Sequence, residues 1–167
     1  MSTKQKLFSH FQSKTMKLPN RIVMAPMTRN FSPNNVPSND VVSYYRRRAQ
    51  GGVGLIITEG TCVNHIASNC YPNVPYMHGE ESIAGWSNVV DAVHDVGGQI
   101  AAQLWHVGAV RKMGMPPNPE VNGYGPSGMN VPGKQNREIM TIEDIDQVIS
   151  AFVEAAKTSK EIGFDAI

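Results

Sequence analysis

Several features that commonly place a protein in a class are scarce here. There are two cysteines, Cys62 and Cys70, in one predicted loop. A disulfide framework takes more than two, and no metal spacing accompanies them, so they read as reduced thiols of a cytosolic protein. An excess of charge of one sign is also missing. Fifteen Lys+Arg against fourteen Asp+Glu leave a net charge of +1, which gives neither nucleic acid nor an anionic membrane a handle. No apolar run approaches membrane-spanning length, and the opening MSTKQKLF lacks the apolar centre of a signal peptide. His10, His65, His78 and His94 show no ligand spacing, so no metal site is expected.

What is present is a design used three times. Asn20–Asn30 reads NRIVMAPMTRN, with Ile22–Ala25 as a short apolar run that suits a strand covered on both faces. Pro26 cannot donate to a ladder, so pairing should end there, leaving Met27, Thr28, Arg29 and Asn30 at the strand's mouth. Val53–Gly60 (VGLIITEG) ends in Thr58, Glu59 and Gly60, and Gln99–His106 (QIAAQLWH) ends in Gln103, Trp105 and His106. Three strands that discharge polar groups at their C-terminal ends assemble one site.

Between these runs the pattern turns helical. Leu7–Leu18 suggests a small hairpin or plug. Ser38 offers an N-cap for a helix to about Ala49, with Val41, Val42, Tyr44 and Tyr45 inward and Arg46–Arg48 at a solvated C-terminal end. A second helix is predicted over Glu80–Val96, closed by Gly97-Gly98. Thr141 with Asp144 gives a capping box for a third, with Ile142, Ile145, Val148, Ile149, Phe152 and Ala156 on its apolar face. Phe164–Ile167 begins a fourth strand. Two long loops, Gly60–Gly79 and Val107–Met140, follow the second and third strands. Arg111 and Lys112 in the latter read as solvated, with contact to an anionic cofactor as the alternative.

Strand–helix repeated three times, then a strand, leaves an open doubly wound sheet or part of a (β/α)8 barrel. The turn after the first strand is not Gly-rich, which removes a Rossmann phosphate loop. Large loops at C-terminal strand ends fit the barrel, but a complete barrel takes about 250 residues. The 167 residues therefore read as a single partial domain: the N-terminal half of a TIM barrel, about four parallel strands and three helices.

Four stretches in register, NRIVMAPMTRN, GGVGLIITEGTCV, the YPNVP-to-GW segment and GGQIAAQLWHVG, resemble the N-terminal half of the Old Yellow Enzyme family of FMN-dependent ene-reductases. The resemblance implies FMN as cofactor, NAD(P)H as reductant and an activated alkene as small-molecule substrate. It implies that the backbone of Ala25, Pro26 and Met27 lies against the flavin, that the Thr28 hydroxyl tunes it, and that Gly60 and Gln103 meet its edge. Trp105 would wall the substrate pocket. The residues that bind the substrate's electron-withdrawing group and deliver the proton, and those that hold the FMN phosphate, lie further along the family's chain, so no catalytic residue is assigned. Each role has a plainer rival: Thr28 bonding its own turn, Gln103 as a satisfied core amide, Trp105 as packing. Two alternatives stay open for the whole: an inactive half-barrel that self-associates or pairs with a C-terminal half, and a non-flavin TIM-barrel enzyme.

Overall fold

The computed structural model describes residues 3–167, beginning with a one-turn helix, α1 (Thr3–Leu7). The hairpin follows as expected: β1 (Phe11–Gln12) pairs antiparallel with β2 (Lys17–Leu18). Three parallel strands then form the sheet, in the order β3 (Val23–Met24), β4 (Leu55–Cys62), β5 (Ile100–Trp105). The crossovers are α2 (Asn39–Gln50) and α3 (Glu80–His94), and α4 (Ile142–Glu161) returns the chain to β5. The long loop before α4 holds four short strands: β6 (Tyr124–Gly125), β7 (Met129–Val131), β8 (Lys134–Gln135) and β9 (Glu138–Ile139).

Strand alternation sorts the sheet into two faces. Ile56, Ile100 and Ala102 turn toward the helices and join Val41, Tyr45, Trp86, Val89, Val90, Val93, Ala151 and Ala155 in the main core. Trp86 is fully buried, donates its indole N–H to the Tyr76 carbonyl at 3.2 Å and stands edge-on to Phe164. The opposite face carries Leu55, Ile57 and Ala101, and the hairpin closes its lower end through Phe11, Met16 and Leu18. Gln103 and Trp105 continue that second face upward, past the plug.

The start of a fourth strand at Phe164–Ile167 is present as one parallel bridge, Ala101 to Ala166. Four expectations need correction. β3 has only two residues and Val23 is 45% exposed, because β3 is a sheet edge rather than a strand covered on both faces. β4 does not give way to a loop at Gly60 but runs to Cys62, absorbing the first residues of the predicted loop. α4 buries Ala151, Ala155 and Ser159, while Ile142 and Ile149 are exposed. Residues spaced by four form one ridge, and the small side chains let the helix lie close on β5. Finally, Ser38 stands at the α2 N-cap position without a side-chain capping bond, whereas Thr141 and Asp144 complete their capping box as predicted.

Candidate functional site

The site is built where β4 breaks its own register. Ile57 lies opposite Ala101, but the next pair is Gly60 opposite Gln103, so three residues of β4 span two of β5. Such a bulge normally orphans backbone groups. Here side chains take them: the Gln103 N–H donates to Thr58 Oγ1 at 3.0 Å, and the Thr58 and Thr61 hydroxyls both donate to the Glu59 carbonyl. Without the extra residue, every later side chain of β4 would face the other way. The bulge therefore sets Gly60 beside Gln103 on the face away from the helices.

Gly60 must be glycine for a reason the sequence did not disclose. A Cβ there would lie 2.1 Å from Cε3 of Trp105. The indole covers the glycine and stacks on Tyr71 at 5.5 Å between centroids. Trp105 is thus a half-buried wall at the strand ends, not a core residue. We expect Gly60→Ala to cost roughly 1–3 kcal/mol by overpacking, with much of the loss recovered when Trp105→Ala is added. Chemical denaturation of both proteins checks this; equal stability of Gly60→Ala and wild type would mean the indole swings freely.

Ala25, Pro26, Met27 and Thr28 follow directly on β3, and Ala25, Met27 and Thr28 are exposed. Among the described residues neither the Thr28 hydroxyl nor the half-buried Gln103 carboxamide has a protein hydrogen-bond partner. This disposes of both rivals: Thr28 does not bond its turn, and Gln103 is not a satisfied core amide. The set offers one hydroxyl, one carboxamide with both donor and acceptor, exposed main chain, and a glycine under an indole. A flat heteroaromatic ring with alternating donors and acceptors along one edge matches that chemistry.

Three features were missed. Arg29 and the fully buried Glu59 form an ion pair across from α2, with the Arg29 guanidinium 3.8 Å from the Tyr44 ring centre. An acid inside an apolar strand needs a partner, and that was the available signal. Arg111 is neither solvated nor turned to a cofactor. It is fully buried and donates to the carbonyls of Val121, Pro116, Met115, Asn69 and Asn118.

The third is a histidine pair. His106 Nε2 lies 2.9 Å from His65 Nδ1. Gly108 N–H donates to His106 Nδ1, and Ala67 N–H donates to His65 Nδ1. The network assigns one arrangement: both rings neutral, each protonated on Nε2, with His106 donating to His65. Burial, then the neighbouring ring, lowers His106 to about 4. Burial also lowers His65, against an opposing pull from Asp144. A depressed histidine binds its proton more tightly in the unfolded chain, so its stabilisation is present above the ordinary value near 6.5 and is lost as pH falls toward about 4. Denaturation midpoints should fall across that window, and fall less in His106→Gln; parallel declines would assign the acid sensitivity elsewhere.

Cys62 and Cys70 are free and buried, and burial pushes the Cys62 thiol up to about 12. Among the described residues no group of three metal-ligating side chains gathers, and no helix is long and apolar enough to cross a membrane. A cavity of about 620 Å³ lies beside α4, lined in part by His65, Glu143 and Glu154, and shares no residue with the candidate site.

Residues 6–167 match the sequence profile of the NADH:flavin oxidoreductase / NADH oxidase family. The chain is 34% identical to a putative 12-oxophytodienoate reductase 4 of Oryza sativa subsp. japonica, over 96% of this chain and 43% of that protein. It is 37% identical to a probable inactive reductase easA of Epichloe festucae var. lolii, over all of this chain and 44% of that one. Morphinone reductase superposes with a TM-score of 0.85 at 32% identity, covering 95% of this chain and 46% of that structure. The chain thus spans less than half the length of each.

Proposed function

Because this chain belongs to the NADH:flavin oxidoreductase / NADH oxidase family, the Old Yellow Enzyme family its motifs resemble, we propose that it is the ring-binding half of an FMN-dependent ene-reductase fold. It is the N-terminal half of that family's (β/α)8 barrel. The observation that carries the reading is that Gly60 and Gln103 pair near the C-terminal ends of adjacent strands, with the Gln103 carboxamide and, beyond β3, the Thr28 hydroxyl left without protein partners among the described residues.

Ala25, Pro26 and Met27 would offer main chain to one flank of FMN, and the Gln103 carboxamide would meet its donor–acceptor edge. Thr28 would donate its hydroxyl to the ring and stabilise the negative charge that reduction places there. Trp105, standing over Gly60, would wall the substrate side. When bound, FMN supplies hydride chemistry, from NAD(P)H to the β-carbon of an activated alkene, with a proton completing the reduction at the α-carbon.

In a chain carried to the length of its relatives, Thr28→Ala should lower the flavin potential. A hydrogen bond to a charged group is worth roughly 1.5–3 kcal/mol, or roughly 30–60 mV for a two-electron couple. Potentiometry on the flavin-loaded pair of proteins measures it. An unchanged potential with flavin still bound would remove Thr28 from the ring.

A further inference from the structure

Glu59 is the only acid in the buried interior of the described residues. It sits in the β4 bulge, and its own N–H donates to the Tyr45 hydroxyl at 2.9 Å. Its carboxylate makes two different kinds of contact with Arg29. Oε1 takes the guanidinium, through Nε at 3.1 Å and through Nη2. Oε2 takes the backbone N–H of Arg29 at 3.3 Å. Tyr44 and Tyr45 flank the guanidinium at 3.8 and 5.0 Å from their ring centres.

A buried ion pair is poor value as a stabiliser, since desolvation consumes most of the attraction. Nor does a pair built only for stability need the second contact. That contact reaches the main chain one residue after Thr28, five residues beyond a strand that contributes only two residues to the sheet. The sheet ladder ends at Met24 and Pro26 has no N–H, so the stretch from Ala25 to Thr28 is fixed at its near end by β3 and at its far end by Glu59.

We propose that Glu59 is a positioning residue: its carboxylate clamps the Arg29 main chain and so sets the Ala25–Thr28 segment that presents the Thr28 hydroxyl to the flavin. What that segment faces rests on the proposed function; the clamp itself does not. Glu59→Gln is the sharp test. A carboxamide has one acceptor, so its NH₂ must confront either the guanidinium or the Arg29 N–H. By amide exchange on this chain, the Arg29 amide in Glu59→Gln should exchange roughly tenfold faster or more, with the Ile56 amide in the sheet unchanged. Arg29→Lys keeps a cation and the backbone N–H, and should leave the amide at position 29 protected. Equal acceleration at Ile56 would make Glu59 a general stabiliser and overturn the proposal. So would loss of protection in Arg29→Lys matching that in Glu59→Gln, or failure of both variants to fold. In the longer, flavin-loaded protein, Glu59→Gln should shift the potential in the same sense as Thr28→Ala, and the double variant should shift it no further than the larger single one. A shift with Thr28→Ala but none with Glu59→Gln overturns the positioning role. No shift with either overturns the flavin reading of Thr28 instead.

Discussion

Arg111→Met should cost about 3–5 kcal/mol and free the loop between Val107 and Val121 to proteolysis. The guanidinium is fully buried, yet its partners are five main-chain carbonyls, from Val121, Pro116, Met115, Asn69 and Asn118. Four of them lie within ten residues of Arg111, so one side chain does for this loop what a helix or sheet would do for its own backbone. The fifth, Asn69, ties the loop after β5 to the loop after β4. Methionine fills similar volume but donates nothing, and each buried carbonyl left without a donor costs roughly 1–3 kcal/mol unless water reaches it. Lys112 is exposed, so Lys112→Met should change stability by less than about 0.5 kcal/mol. Denaturant midpoints and limited proteolysis of the two variants decide it. A cost under about 1 kcal/mol for Arg111→Met would show that solvent readily replaces the guanidinium.

Arg111 also marks the limit of what could be read from residues alone. An arginine in a Gly- and Pro-rich loop looks solvated because loops usually are, and nothing local says that five carbonyls will converge on it. Periodicity served better where one element decides its own fate. In α3, Ile83, Trp86, Val89, Val90 and Val93 recur at three- and four-residue intervals; the last four are buried and Ile83 is half-buried. It misled in α4, where Ile142 and Ile149 read as core while the ridge that packs is Ala151, Ala155 and Ser159. Helix faces are chosen by the fit to a neighbour, and small residues win where the approach is close. Thr28, Gly60, Gln103 and Trp105 were all singled out from the sequence as candidates, and of these the structure brings Gly60, Gln103 and Trp105 onto one face. The β4 bulge was not legible, because an extra residue has no signature in an apolar run. Without it, Glu59 looks like another polar group at a strand's mouth rather than a buried clamp.

A second large effect is expected from the chain taken by itself: it should retain no flavin absorbance after gel filtration with FMN and show no alkene reduction. The argument is electrostatic. Thr28, Gly60 and Gln103 address a ring, whereas most of the cofactor's charge is in its phosphate. Four arginines of the described residues are already committed. Arg29 is paired with Glu59, Arg111 is surrounded by carbonyls, and Arg48 is stacked on Tyr44 at 3.5 Å while donating to its carbonyl. Arg137 donates to the Ala109 and Asn136 carbonyls. Phosphate sites also favour a glycine-rich turn at a helix start, yet α2 begins with Asn39 and Asp40, and α3 opens with Glu80 and Glu81, which repel an anion. Ring contacts without the anion's partners should give weak, fast-dissociating binding. Loading the chain with FMN, separating it by gel filtration and recording the visible spectrum tests this directly, with light scattering on the same fractions. The exposed β3 edge and the bare Ile142 and Ile149 of α4 favour a self-associated or complemented half-barrel in those fractions. A yellow monomer with one FMN per chain would mean that this half carries a phosphate site of its own, and the division of labour between ring and phosphate would have to be redrawn.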